Sequence, residues 1–162
     1  MATAALVALA ERLQGICLGR RLTVCAAESC TGGLIAEAIT GVAGSSGYFA
    51  GSVVAYADAA KTGLLGIPAE LIGAHGAVSA QVARAMATGA RDRFAADLAV
   101  SVTGIAGPDG GTDAKPVGLT YIGLADEAGV QLRRFTWPGD RTANRESSVV
   151  AALEWLIDRA GT

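Results

Sequence analysis

Histidine, lysine and paired cysteines are scarce in this sequence of 162 residues. His75 is the only histidine, and Cys17, Cys25 and Cys30 contain no Cys-x-x-Cys pair. Zinc sites use closely spaced cysteine and histidine ligands, so this composition argues against a zinc centre. The aspartates of the predicted loops also lack the spacing of a calcium loop or a magnesium pair. We therefore predict that the protein needs no metal and that its cysteines are structural thiols, with Cys30 as the exception because it lies beside Ser29 at a predicted helix start.

The sequence also lacks an excess of positive charge and a long apolar run. Its formal net charge is -2, so it offers no basic surface for nucleic acid or an anionic membrane, and a small-molecule partner fits better. Residues Met1–Ala10 are apolar, but no positive charge leads them and Glu11 ends the run before it can span a bilayer. We expect a cytoplasmic protein with one domain over residues 1–162. Its mean hydropathy of +0.41 further predicts a homodimer or larger homo-oligomer.

Several common signatures of catalytic or nucleotide-binding sites are missing. The nucleophile-elbow pattern Gly-x-Ser-x-Gly does not occur around Ser29. The Walker pattern and the dinucleotide pattern Gly-x-Gly-x-x-Gly do not occur in the glycine-rich segment 103–111. A Ser-His-Asp triad would need His75, which lies in an apparent turn. If a serine is the nucleophile, its base is therefore expected to be a residue other than histidine.

Helical and strand patterns alternate along the chain. This alternation, with one antiparallel hairpin near the end, predicts an α/β fold, a layered α/β/α sandwich with a mixed central sheet. The predicted strands are 22–27, 52–56, 98–102, 117–124 and 130–137. The predicted helices are 2–18, 31–39, 58–65, a short one opened by Pro68, one capped by Ser79 that runs to about Phe94, and 141–159.

The segment 26–33 places two hydroxyls and a thiol at the predicted start of a helix. Ser29, Cys30 and Thr31 are followed by Gly32 and Gly33, which let a ligand approach the main chain closely. A helix start exposes unpaired N–H groups and the positive end of the helix dipole. The segment therefore favours a nucleophile, a bound anion, or both.

Lysine is used sparingly, with two residues against eleven arginines. Lys61 lies five residues after Tyr56, at a predicted transition from strand to helix. A buried lysine can lose its proton whereas arginine cannot, so Lys61 is a candidate base for a serine hydroxyl. The alternative is a partly exposed helix lysine whose stem covers apolar surface.

Two later segments are candidate anion sites. The loop 103–116 holds four glycines and offers successive N–H groups suited to an oxyanion or a phosphate, although a purely structural loop is the alternative. The arginines at both ends of 141–145 precede the last helix, where guanidinium groups can bind a phosphate in bidentate fashion. Ordinary surface arginines are the alternative here.

Five short segments occur together in an order typical of one protein family: Ala27-Glu28-Ser29-Cys30-Thr31-Gly32-Gly33, Gly44-Ser45-Ser46 with Tyr56 and Lys61, Gly76-Ala77-Val78-Ser79, Thr103-Gly104-Ile105-Ala106-Gly107-Pro108, and Lys115-Pro116-Val117-Gly118. Through them the sequence resembles the CinA carboxy-terminal domain family over about residues 5 to 158. The sequence departs from many relatives at Asp58, where they carry asparagine. The additional N-terminal nucleotide-processing domain of some relatives is missing, so a stand-alone form is expected.

The resemblance implies a nicotinamide-nucleotide amidase, which converts nicotinamide mononucleotide to nicotinate mononucleotide and ammonia without a cofactor. It maps the nucleophile onto Ser29, the base onto Lys61 and an assisting tyrosine onto Tyr56. The implied substrate and oxyanion contacts are Thr31, Gly32, Gly33, Thr103, Gly104 and, for the phosphate, Arg145. Two alternatives stay open: a non-catalytic module that binds a nucleotide phosphate or a protein partner, and an amidase with Cys30 as its nucleophile.

Overall fold

The computed structural model describes residues 1–162 and is organised around five strands. These are β1 (Val24–Glu28), β2 (Phe49–Val54), β3 (Leu98–Gly104), β4 (Leu119–Asp126) and β5 (Gly129–Thr136). The α-helices are α1 (Ala4–Arg20), α2 (Leu34–Thr40), α3 (Asp58–Leu65), α4 (Ala69–His75), α5 (Ala80–Phe94) and α6 (Arg141–Ala160). A short 3-10 helix occupies Ser45–Gly47.

The strands form one mixed sheet in the order β2-β1-β3-β4-β5. β1 is parallel to β2 and β3, whereas β4 is antiparallel to β3 and β5, so the predicted mixed sheet is confirmed. Glu28, the last residue of β1, pairs with Val54 of β2 and Val102 of β3. The carboxyl ends of the three parallel strands therefore lie side by side, which is where open α/β sheets bind ligands.

Helices cover both faces of the sheet, as predicted for an α/β/α sandwich. Every residue of β1 is buried, and its alternate side chains face opposite helical layers. Val24 and Ala26 pack in a cluster with α1, α2 and α6. Cys25 and Ala27 pack in a second cluster with α3, α4 and α5. β1 is thus the central strand of both cores, and the residues directly after it are held by rigid surroundings.

Three predicted boundaries differ from the structure near the sheet edge. The second helix begins at Leu34 instead of residue 31, because Gly32 and Gly33 adopt positive φ angles of 58° and 100°. β2 begins at Phe49 instead of residue 52. Gly51 lies within it, and a Cβ there would come within 2.7 Å of Phe94. β3 continues to Gly104, whereas the sequence predicted that its last two residues belong to a loop.

The helix ends follow the local signals well. α3 spans the predicted residues, and the Ser79 hydroxyl accepts a hydrogen bond from the N–H of Val82 at 3.2 Å, which caps α5. His75 is the last residue of α4 and not part of an isolated turn. None of the helices combines the length and apolar character needed to cross a lipid bilayer.

Candidate active site

The candidate site lies at the carboxyl ends of β1, β2 and β3. Ser29 directly follows β1, and its N–H donates to the carbonyl of Val102 in β3 at 3.0 Å. Lys61 lies on α3, which follows β2 after a short connection. Sequence positions 32 residues apart are thereby brought to one point, because the parallel pairing of β1 and β2 aligns their ends.

Lys61 and Ser29 are in direct hydrogen-bond contact. The distance between Lys61 Nζ and Ser29 Oγ is 3.1 Å. The same Nζ donates to the carbonyl oxygens of Ala55 at 2.9 Å and Tyr56 at 3.0 Å. The amine therefore has one hydroxyl and two carbonyls as neighbours, a set that matches its hydrogen-bonding capacity.

Burial favours the neutral form of Lys61. The side chain is 1% exposed and forms no ion pair. Loss of hydration lowers its pKa below the ordinary value, because a buried ammonium loses water that two carbonyls only partly replace. Asp58, at the start of α3, opposes this shift by favouring the ammonium. The net result is a lysine that gives up its proton more readily than one in water.

Ser29 opens onto a cavity of about 270 Å³. The end of β3 and the glycine-rich loop that follows it contribute half of the lining residues. This loop, residues 105–118, is called the β3 loop below. Two basic side chains line it, Lys61 and Arg141, together with one carboxylate, Asp109. A larger groove of about 500 Å³ between β5 and α6 contains no lysine, histidine or cysteine, so it offers no comparable nucleophile and base.

Arg141 and Tyr56 meet at the mouth of this cavity. The guanidinium of Arg141 donates to the carbonyl of Gly107 at 3.0 Å and to the Tyr56 hydroxyl at 3.1 Å. Tyr56 is 59% exposed, and its hydroxyl forms no hydrogen bond with Ser29 or Lys61. Tyr56 thus accepts two hydrogen bonds at opposite ends, one from Lys61 at its carbonyl and one from Arg141 at its phenol oxygen.

The identity of the domain follows from its relatives. The model of the CinA C-terminal domain matches residues 6–160, nearly the whole chain. The chain belongs to the CinA C-terminal domain family. A CinA-like protein of Geobacter sulfurreducens is 58% identical over 138 residues, which cover 85% of this chain and 33% of that protein. A CinA-like protein of Mycolicibacterium gilvum is 52% identical over 147 residues, covering 90% and 34%. The chain spans about a third of the length of these curated relatives.

Solved structures of CinA proteins share the fold along almost the whole chain. The competence/damage inducible protein CihA of Agrobacterium tumefaciens is similar with a TM-score of 0.94 and 42% identity, over 98% of this chain and 97% of that one. A competence-damaged protein (CinA) superfamily protein of Escherichia coli is similar with a TM-score of 0.92 and 29% identity, over 98% and 93%. The α/β architecture described above is therefore that of the CinA family.

In this CinA domain, the turn after β1 is filled by the protein's own carboxylate. Glu28 is fully buried and accepts hydrogen bonds from every side. Its donors are the hydroxyls of Thr31 (2.8 Å) and Ser52 (2.9 Å) and the N–H groups of Gly33 (3.1 Å), Ile35 (3.0 Å) and Ala36 (3.1 Å). The N–H groups of Gly33, Ile35 and Ala36 at the start of α2 are thus occupied, so this helix start presents no open anion site. Residues 29–33 are called the β1 turn below.

Four of the residues that the resemblance implied as substrate contacts do not line this cavity. Thr31 is fully buried against Glu28, and Gly32 and Gly33 lie outside the cavity lining. Arg145 also lies outside the lining, because its guanidinium donates to the carbonyls of Cys30 at 3.0 Å and Thr31 at 2.9 Å. These residues support the β1 turn from behind.

Thr103 and Gly104 do line the cavity, as the resemblance implied for their position. The Thr103 hydroxyl donates to the carbonyl of Ala77 at 2.9 Å. A Cβ at Gly104 would approach Thr120 Oγ1 to 2.7 Å and Cys30 Sγ to 3.2 Å, so only glycine allows this close packing. Whether either residue touches a substrate stays a prediction.

Arg141 is the lining residue that the site prediction missed. Both arginines of 141–145 had been considered for a phosphate, and they lie one helical turn apart on α6. The choice between them depends on how α6 packs across the sheet edge, and the sequence contains no signal for that packing.

Cys30 lines the cavity beside Ser29 but is a poor thiolate. Burial raises its pKa to about 11, although its own backbone N–H and Arg145 act in the opposite direction.

No group of three or more histidine, cysteine, aspartate or glutamate side chains in the structure could hold a metal ion.

Proposed function

We propose that the chain is a nicotinamide-nucleotide amidase, which hydrolyses the carboxamide of nicotinamide mononucleotide to nicotinate mononucleotide and ammonia. The observation that carries this proposal is the contact of 3.1 Å between a buried lysine amine and the Ser29 hydroxyl at the floor of a cavity. Amides are weak electrophiles, so their hydrolysis needs an activated nucleophile, stabilisation of the oxyanion and a proton for the leaving nitrogen. The substrate itself is inferred from the resemblance to the family.

The three neighbours of Lys61 make its lone pair available to Ser29. A neutral amine has two N–H groups and one lone pair. The carbonyls of Ala55 and Tyr56 can only accept, so they take the two N–H groups. The lone pair then faces the Ser29 hydroxyl, which donates its proton to it. After proton transfer the ammonium donates to the same three oxygens, so no side chain has to move.

The reaction proceeds in two steps in this proposal. Ser29 Oγ attacks the amide carbon while Lys61 takes the hydroxyl proton, and Lys61 then passes this proton to the amide nitrogen, which leaves as ammonia. A water molecule attacks the resulting ester, giving one proton to Lys61 and its oxygen to the acyl group. Lys61 returns the proton to Ser29, and nicotinate mononucleotide is released.

An oxyanion donor is available next to the nucleophile. The N–H of Cys30 follows Ser29 directly, and its one contact within the protein is the thiol of the same residue. In hydrolases whose nucleophile lies on a turn after a strand, the N–H of the following residue contributes to the oxyanion hole. We assign this role to Cys30 N–H in place of Gly32 and Gly33, whose N–H groups donate to Ser29 O and Glu28 Oε2.

The test is release of ammonia from nicotinamide mononucleotide by the purified chain. We expect equal amounts of ammonia and nicotinate mononucleotide, and a loss of at least about 10³-fold in kcat for Ser29→Ala. Cys30→Ala is the matched control and should keep kcat within a few-fold. Binding without ammonia release would instead support a non-catalytic module. Activity that survives Ser29→Ala but not Cys30→Ala would make Cys30 the nucleophile.

A further inference from the structure

The mouth of the cavity carries a positive charge that nothing in the protein neutralises. Arg141 is the one arginine in the lining, and its guanidinium forms no ion pair. Two of its five N–H donors are used, on Gly107 O and Tyr56 Oη, which leaves donors for a ligand. Asp109, the only carboxylate of the lining, is exposed and unpaired with Arg141.

Buried backbone donors lie next to this guanidinium. Ala106 and Gly107 are buried and line the cavity, yet their N–H groups donate to no acceptor within the protein. More than nine in ten buried N–H groups in proteins have a partner, so two consecutive exceptions in a cavity wall indicate a ligand that accepts hydrogen bonds. The carbonyls of the same two residues are held by α6, through Asn144 at 3.0 Å and Arg141 at 3.0 Å. The free donors therefore belong to a fixed loop.

Tyr56 spans the distance between Lys61 at the reacting centre and Arg141 at the mouth of the cavity. Its carbonyl accepts from Lys61, which contacts Ser29, whereas its hydroxyl accepts from Arg141. A substrate with its carboxamide at Ser29 would need an anionic group about one tyrosine length away to reach Arg141. A mononucleotide has such a group in its 5′-phosphate, separated from the base by the ribose.

We propose that Arg141 and the free N–H groups of Ala106 and Gly107 bind the phosphate monoester of the substrate, with Tyr56 as the residue that positions Arg141. This inference rests on the proposed amidase function, because it takes the mononucleotide as the ligand. Arg145 has no part in this subsite, since both of its hydrogen bonds support the β1 turn. Tyr56 contributes to binding and transfers no proton.

The test compares two ligands that differ only in the phosphate, nicotinamide mononucleotide and nicotinamide riboside. Binding is measured by calorimetry in the Ser29→Ala background, where no turnover occurs. Arg141→Gln should weaken binding of the mononucleotide by about 10-fold to 100-fold, the range expected for lost charge-assisted hydrogen bonds. Binding of the riboside should stay within twofold. Arg12→Gln, an exposed helix arginine without hydrogen bonds, is the control and should change neither.

Kinetics on the chain with Ser29 intact give the second readout. Arg141→Gln and Tyr56→Phe should raise KM for the mononucleotide and leave kcat within about threefold. An equal loss of affinity for both ligands, or no loss for either, would overturn the phosphate subsite. A fall of kcat by 10²-fold or more in Tyr56→Phe would make Tyr56 a proton-transfer residue and overturn its positioning role.

The two proposals fail in different ways. If the wild-type chain releases no ammonia but binds the mononucleotide through Arg141, the amidase function is wrong and the phosphate subsite stands. If ammonia is released and the phosphate makes no difference to binding, the subsite is wrong and the amidase function stands.

Discussion

The β1 turn and the β3 loop follow neighbouring parallel strands, both contain glycines at positive φ, and they treat backbone N–H groups in opposite ways. In the β1 turn the N–H groups at the start of α2 donate to Glu28, a carboxylate with no exposure to solvent. In the β3 loop the N–H groups of Ala106 and Gly107 have no acceptor in the protein. The start of α2 is closed by an anion of the protein itself, whereas the β3 loop is open to a ligand.

We infer from this difference that the two loops have different roles. A closed hydrogen-bond network holds the β1 turn in one conformation, so that Ser29 stays within reach of Lys61. An open set of donors is costly to leave unpaired and gains stability when a ligand supplies acceptors. Glycine content alone therefore does not identify an anion site. The deciding observation is whether a side chain already occupies the donors.

The largest expected effect is on the chemistry held by the β1 turn. Lys61→Arg keeps the positive charge but removes the ability to act as a base, so kcat should fall by about 10²-fold to 10⁴-fold. Ammonia release measures the loss, and circular dichroism checks the fold. The matched change beside the β3 loop, Arg141→Lys at the start of α6, should act mainly on KM. Equal kcat values for wild type and Lys61→Arg would contradict the assignment of the base.

The next effect concerns the anion that closes the β1 turn. Glu28→Gln keeps the size of the side chain but turns an acceptor into a donor that faces other donors. The free energy of unfolding should fall by about 2 to 3 kcal/mol, the cost of lost charge-assisted hydrogen bonds and unpaired buried groups. Urea denaturation measures it. Glu127→Gln, in the exposed hairpin turn, is the control and should change stability by less than about 0.5 kcal/mol. A loss as small as that of the control would show that the turn does not depend on its internal anion.

Alanine substitutions at one glycine in each loop compare the cost of backbone strain with the cost of overpacking. Gly33 and Gly107 have φ angles of 100° and 90°, so alanine at either position costs about 1 to 2 kcal/mol of strain. A Cβ at Gly33 would lie 3.7 Å from Val54, whereas one at Gly107 would lie 2.6 Å from Val117. Gly107→Ala should therefore be more destabilising than Gly33→Ala by about 1 to 3 kcal/mol, as measured by urea denaturation. The reverse order would mean that the β3 loop yields more easily than the β1 turn.

The smallest effect is a shift in the pH profile. The rate of a base-catalysed reaction rises with pH as Lys61 loses its proton, with a midpoint below the ordinary lysine pKa. Asp58 favours the ammonium, so Asp58→Asn should lower the pKa of Lys61 and move the rising limb of kcat/KM to lower pH. We expect a small shift, because Asp58 is exposed and its charge is screened. Asp109→Asn, in the β3 loop, should leave the midpoint unchanged, and a shift in the opposite direction for Asp58→Asn would contradict the role of Lys61.

Local patterns predicted the elements because their signals are short-range. The Ser79 cap, the start of α3 at Asp58 and the alternation of strands with helices depend on residues close in sequence. Two of the boundary errors fall where distant residues decide the structure. β2 extends through Gly51 because Phe94 of α5 fills the space beside it, and β3 extends through Gly104 because it pairs with Thr120 of β4.

The candidate site also combines features that the sequence predicts with features that depend on contacts between distant residues. Ser29 and Lys61 were chosen from residue chemistry and family resemblance, and the pairing of β1 with β2 brings them together. Arg145 was chosen over Arg141 from the sequence, yet Arg141 lines the cavity. Both lie on α6, one helical turn apart, and the difference arises from the position of that helix over the sheet edge.

The sequence by itself determined the residue chemistry: a serine beside glycines, a rare lysine that can lose its proton, and the alternating pattern that builds a mixed sheet. The tertiary structure decided which of these groups meet and which donors remain free. Glu28 closes the start of α2 because parallel pairing carries Ser52 to one side of the carboxylate and the helix supplies N–H groups to the other. The N–H groups of the β3 loop have no such carboxylate and stay open. Contacts of this kind join residues far apart in the chain, so only the packed sheet and its helices establish them.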